Sequence, residues 1–205
     1  MSYLLTNPKR GFNILTTLHE MLQDRAYTIT QPESKKVQNL LHNVEAAQVY
    51  YDAEENLFVA QKGPHTLRVM KPKEDKLAID TVRKYVDKAE AEGPQCSILI
   101  IIQNITPAAR QIVQSCKQFE LFYEKNLYRN ITKHVYYVPH TALSEAEEQA
   151  VLKRYKCDKD NIPVLLKNDA VARYFNWKVG TMIKTETRVG GASAPYITYR
   201  VVMDN

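Results

Sequence analysis

A small set of residues has types and spacing that could do chemistry. They are Glu74-Asp75-Lys76, Thr106-Pro107 with Arg110 one helical turn on, His134 and His140, and the cysteines Cys96, Cys116 and Cys157. An acidic residue two before a lysine can position a metal and a water for phosphodiester cleavage. Here that pair lies in the charged run KPKEDK, and no aspartate is evidently placed as a second ligand. With 28 basic and 23 acidic residues, chance alone produces such a spacing, so a metal-dependent nuclease stands only as an alternative. The two histidines have no nearby cysteine or carboxylate to complete a ligand set, and three well-separated cysteines fit neither a disulfide framework nor a CxxC knuckle. The expectation is core thiols, no catalytic residue, no metal and no cofactor. A glycine-rich phosphate loop is also missing, which removes support for nucleotide or other small-molecule chemistry.

Thr106-Pro107 has a different chemistry. The segment Gln103 to Pro107 leaves an apolar strand and enters a helix, where free N–H groups and the helix dipole favour anions. A phosphate fits there, with Arg110 beside it; the plainer reading is that Thr106 only caps a helix. The net charge of +5 and pI near 9.0 agree with a polyanionic partner but do not require one. Basic residues come in short groups with no block of five or six, which argues against a free-standing DNA-binding adaptor. The longest apolar run, Ser97 to Ile102, is far shorter than the roughly 18 residues that span a membrane, and MSYLLTNPKRGF lacks a secretory pattern. The chain is therefore expected to be intracellular with no membrane partner.

The elements that must hold these residues follow from periodicity. Asn7-Pro8 opens a predicted helix to about residue 24, with Phe12, Leu15, Leu18, Met21 and Leu22 on one side. Two more helices are predicted from Val37, Leu40, Leu41 and Val44, and from Val82, Tyr85, Val86 and Ala89 with Gly93 as the stop. Strands are expected at 49–51, 57–60, 67–70, 98–102 and 119–123, the fourth covered on both faces. A helix carrying Ile112, Val113 and Cys116 follows Thr106. Alternating strands and helices of this kind give an α/β unit with a partly parallel sheet.

In the C-terminal third, Ser144 and Glu147 form a capping box for a helix over 145–155, with Val151, Leu152 and Tyr155 as the expected buried stripe. Asp169 caps a short helix to Phe175, Gly180 makes a turn, and strands are expected at 182–185 and 196–202. In PYITYRVV, Tyr196, Thr198, Arg200 and Val202 share one face, and Ile197, Tyr199 and Val201 the other, expected to be core. A strand so rich in Tyr and Arg near a chain end suits an interface.

Residues 131–202 closely resemble the C-terminal domain of the fifth-largest subunit of eukaryotic RNA polymerases and its archaeal counterpart. The matching residues occur in order: His134, Val138-Pro139, Ser144, Arg154-Tyr155, Pro163, Asp169, VARY at 171–174, Gly180 and YITYR at 196–200. DRAYTITQPE at 24–33, DTVRKYVDKAEAEG at 80–93 and SILIIIQNITPAARQ at 97–111 are similar to the eukaryotic protein as well. The resemblance implies an α/β fold in two parts, a small doubly wound jaw over 1–130 and a compact α/β assembly domain over 131–205. It implies a non-catalytic polymerase subunit, docking on the largest subunit through His134, Arg173, Tyr174, Tyr196, Thr198 and Arg200. It also places Thr106, Pro107 and Arg110 near downstream duplex DNA, as backbone contacts that position without reading sequence.

Several positions depart from the family pattern. Asp169-Ala170 stands where Asp-Pro is usual, Val164 where an Arg follows the proline, and TETRVGGASAP replaces the usual stretch before Tyr196. The N-terminal helix lacks the family's tryptophan, the only one being Trp177. Together with a short N-terminal domain, these changes look like the copy carried by large cytoplasmic DNA viruses, such as the African swine fever virus polymerase subunit. Such a copy is expected in the host cytoplasm and the virion, and a cellular one in the nucleus.

Overall fold

The computed structural model describes residues 9–30, 33–187 and 196–204. The chain divides into two compact units, Met1–Arg129 and Asn130–Asn205. Among the described residues no helix is long and apolar enough to cross a membrane. The fold is α/β in both units.

The first unit opens with α1 (Arg10–Asp24), which buries Ile14, Leu15, Leu18, Met21 and Leu22 at helical spacing. The Asn7-Pro8 start lies outside the described residues. Gly11 lets α1 come close to a later helix: a Cβ there would sit 2.7 Å from the Tyr51 Cβ. β1 (Thr28–Ile29) and α2 (Glu33–Leu40) precede α3 (Val44–Ala53), and here two expectations fail. The helix expected across 37–44 ends at Leu40, and residues 49–51 are helical, not a strand. The cause is Asn43, whose side chain accepts the Ala46 N–H at 3.0 Å and starts a new helix, with Glu45 in its first turn. Once the helix is nucleated, Ala47 and Tyr51 fall one turn apart on its buried side, which outweighs the strand preference of Val-Tyr-Tyr.

β2 (Asn56–Lys62) and β3 (His65–Met70) form a hairpin, and β4 (Lys76–Leu77) leads into α4 (Ile79–Glu92). Ala78 is the N-cap of α4; Gly93 ends it at φ 91°, the left-handed region that glycine enters without strain. Next come β5 (Cys96–Ile102), β6 (Asn104–Ile105), α5 (Pro107–Ser115), β7 (Phe119–Tyr123) and α6 (Glu124–Leu127). The main sheet runs β1-β2-β3-β5-β7, antiparallel up to β3 and parallel from β3 to β7. Both crossover helices lie on one face, where Val82, Tyr85 and Ala89 of α4 and Ala109 and Val113 of α5 pack on Ile98, Ile100 and Ile102. Leu99 and Ile101 point the other way and are equally buried. Arg25, just past α1, reaches Glu120 and stands over the Phe122 ring, two residues on that second face, so α1 covers it. Helices on both faces explain why β5 reads as one apolar run.

The second unit contains β8 (His140–Ala142), α7 (Glu145–Tyr155), β9 (Val164–Leu166), α8 (Ala170–Phe175), β10 (Met182–Thr187) and β11 (Tyr196–Met203). Its sheet runs β8-β10-β11-β9, with β9 parallel to β11 and the other pairs antiparallel. The Ser144–Glu147 capping box is present. The stripe behind it is not buried: Val151 and Leu152 are half-exposed, and Tyr155 is 55% exposed with its ring edge-on to Tyr199 of β11 at 5.9 Å. Asp169 caps α8 by accepting from the Val171 and Ala172 N–H groups. Residues 188–195, and so most of the hairpin tip, lie outside the described residues. Cys96 is buried, whereas Cys116 and Cys157 are only half-buried, so one of the three expected core thiols is in a core.

Candidate functional site

Thr106 caps α5, its Oγ1 accepting the Ala109 N–H at 3.3 Å, and Pro107 occupies the first helical position. The loop is pinned from below by the β4/β6 pair, with Asn104 donating to the Asp75 carbonyl at 3.2 Å and Thr106 to that of Leu77 at 3.1 Å. Pro107 has no N–H, Ala109 gives its own to Thr106 Oγ1, and Arg110 gives its own to the Thr106 carbonyl. That leaves Ala108 as the first-turn donor for an outside anion. Pro107 and Arg110 are exposed, and Arg110 rests its guanidinium on the Tyr123 hydroxyl. The site thus supplies one N–H and one cation, enough for a single phosphate contact.

Beside it, a cavity of about 220 Å³ opens at the carboxyl ends of β3, β5 and β7. Three ends converge there: Lys71 to Asp75 after β3, Ile101 and Ile102 of β5 with Gln103 just past it, and Glu124 after β7. Glu124 is the hub. Arg10 meets both its oxygens at 2.9 Å, and the Tyr51 hydroxyl donates to it at 2.7 Å. Burial and the negative Glu124 push the Tyr51 phenol well above its ordinary range. Lys71 lies over the Tyr51 ring at 4.8 Å, and burial holds its ammonium below the usual value. Sequence reasoning missed this cluster because its members come from α1, α3 and the ends of two strands. The signal available was positional: Lys71 and Glu124 directly follow parallel strands, where open sheets place polar groups.

The acidic-x-lysine pair gains nothing from the geometry. Glu74 is exposed and accepts a long bond from Thr81 Oγ1 at 3.4 Å. Among the described residues no group of three or more His, Cys, Asp or Glu side chains is placed to hold a metal ion.

In the second unit, pairing puts Thr198 opposite Thr185 and Arg200 opposite Ile183, on the face carrying Val202, Leu165 and α8. The two threonine hydroxyls are bonded to each other, and Arg200 donates to the Val164 carbonyl at 3.2 Å. Burial along β11 follows position rather than face. Val201 and Val202 are both buried, while Tyr196 and Ile197 are both exposed, Ile197 at 42%. The expected core set Ile197, Tyr199 and Val201 is corrected accordingly: only the end flanked by β9 and α8 is core. His134 is exposed, its Nδ1 accepting the Tyr136 N–H at 3.2 Å in a turn that presents Val135 and Tyr136 to solvent. Arg173 is half-exposed on α8. Tyr174 is 4% exposed and its hydroxyl accepts from Asn130 at 3.1 Å, so its ring belongs to the interior of the unit and not to its surface.

Residues 6–89 match the family described as RNA polymerase Rpb5, N-terminal domain, and residues 129–202 match RNA polymerase Rpb5, C-terminal domain. The chain belongs to the Rpb5 family of RNA polymerase subunits. It is 31% identical over 198 residues to the DNA-directed RNA polymerases I, II, and III subunit rpabc1 of Dictyostelium discoideum, covering 94% of this chain and 96% of that protein. It is 26% identical over 209 residues to the corresponding protein of Caenorhabditis elegans, with 95% and 96% covered.

Proposed function

We propose that this chain is a non-catalytic subunit of a multisubunit DNA-directed RNA polymerase, with residues 1–130 as a jaw on downstream DNA and residues 131–205 as the assembly domain. The half-covered sheet of the second unit supports this most directly. Its β11 strand leaves Tyr196, Ile197 and Arg200 exposed, a surface that a partner would cover. Docking on the largest subunit uses His134, Arg173, Tyr196, Thr198 and Arg200, with Tyr174 holding α8 from inside. Thr106, Pro107 and Arg110 brace the downstream duplex through its phosphates, and Arg110 exchanges Tyr123 for a phosphate when DNA arrives. No cofactor takes part.

The missing N-terminal tryptophan and the altered stretch before Tyr196 support a viral source, with the chain in host cytoplasm and virions; its absence from purified virions would contradict that. The docking reading is tested with Thr198→Glu combined with Arg200→Glu. Far-UV circular dichroism should be unchanged, reporting a folded unit, while incorporation into polymerase falls. Normal incorporation of that variant would refute this surface.

A further inference from the structure

Five rings run across one face of the C-terminal sheet. Tyr137 and His140 are 5.8 Å apart, His140 and Trp177 6.3 Å, Phe175 and Trp177 4.8 Å and nearly parallel at 11°, and Tyr174 and Phe175 5.0 Å edge-on. Only Tyr174 is buried; the other four are partly open to solvent. Packing explains the Tyr174 end, but it does not require Trp177 and Phe175 to stay half-exposed. Lys178 follows Trp177 and is exposed, Arg173 lies on α8, and Arg200 sits opposite Ile183, one of the residues in the cluster Trp177 packs against. Carboxylates near these strands are engaged: Asp169 caps α8, Glu186 sits 2.7 Å from Lys184, and Asp204 lies 3.9 Å from Lys167. The face offers partly open rings, with Arg200 on the same side of the sheet and exposed Lys178 next to Trp177 in the chain.

We infer that this row and its cations bind an acidic, partly apolar segment of the partner polypeptide, an inference that rests on the docking reading above. A single-stranded nucleic acid is the competing polyanion, and the ring geometry disfavours it. A base needs an open aromatic face. Trp177 gives one face to Phe175 and packs against Leu165, Ala172, Ile183 and Val202 as well, so it is mainly ring edges that remain. Edges carry the positive end of the ring quadrupole, and with a guanidinium and an ammonium nearby they suit carboxylates.

Trp177 is the chain's only tryptophan and reports directly on the site. The full chain is titrated with a synthetic peptide alternating Glu and Leu, with one alternating Lys and Leu, and with oligo(dT). The Glu-Leu peptide should shift Trp177 emission saturably, and Lys178→Glu with Arg200→Glu should weaken it about tenfold, as removing two partly screened charge contacts predicts. No shift, an equal shift from the Lys-Leu peptide, or tighter binding of oligo(dT) overturns the inference. Purification of the wild-type chain from its native cells runs in parallel. Incorporation into polymerase without a peptide response rejects only this inference, whereas absence from polymerase rejects the docking reading itself.

Discussion

Replacing Glu124 with leucine should destabilise the first unit severely, because one carboxylate serves two buried partners. The side chains of Arg10 and Glu124 are only 13% and 12% exposed, so the change leaves a largely shielded guanidinium without its counter-ion. Removing one member of such a pair costs about 3–5 kcal/mol, mostly the penalty of the orphaned charge. The Tyr51 hydroxyl loses its acceptor too, but the costs share one carboxylate and do not add, so the total should stay at about 3–5 kcal/mol. Tyr51→Phe removes only the neutral partner and should cost about 1–2 kcal/mol. Urea unfolding followed by far-UV circular dichroism measures the loss, and Trp177 in the other unit serves as an internal reference. A Glu124→Leu protein no less stable than Tyr51→Phe would refute the hub.

Three further outcomes are expected. Burial and the Glu92 contact raise the Cys96 thiol to about 11, so iodoacetamide at about pH 8 should modify Cys116 and Cys157 well before Cys96, read by mass spectrometry. Burial works against the Glu92 charge, but hydrogen bonds from Arg68 and Cys96 outweigh it and hold the carboxyl below its ordinary value. Its contribution to stability is therefore present above the unfolded pKa and lost as pH falls through the folded one, and Glu92→Gln should flatten the acid side of the stability profile. In assembled polymerase, Arg110→Ala should lower the slope of log affinity for downstream DNA against log salt by about one, the signature of one lost phosphate contact, without changing subunit incorporation.

Local signals were readable from the residues, and long-range ones were not. Thr106-Pro107, Ser144 with Glu147, and Gly93 each act within a few positions, and each does in the structure what its type predicts. Residues 49–51 misled because a β-prone triplet was weighed without the Asn43 cap upstream. The short pairs β4/β6 and β9/β11 are held by partners distant in sequence, so no periodicity announces them. Arg10 and Glu124 lie 114 positions apart, which places their pairing beyond any spacing rule. The alternation of PYITYRVV placed side chains on the right faces, yet burial depends on where α7, α8 and β9 stop covering the strand.

The central claim is polymerase membership through the C-terminal unit, and affinity purification of the intact chain from cells that express it natively tests it most directly. Quantitative mass spectrometry after gel filtration should find the large polymerase subunits in near-equimolar amounts with the chain. A chain that elutes alone, with no polymerase subunit beside it, would contradict the account.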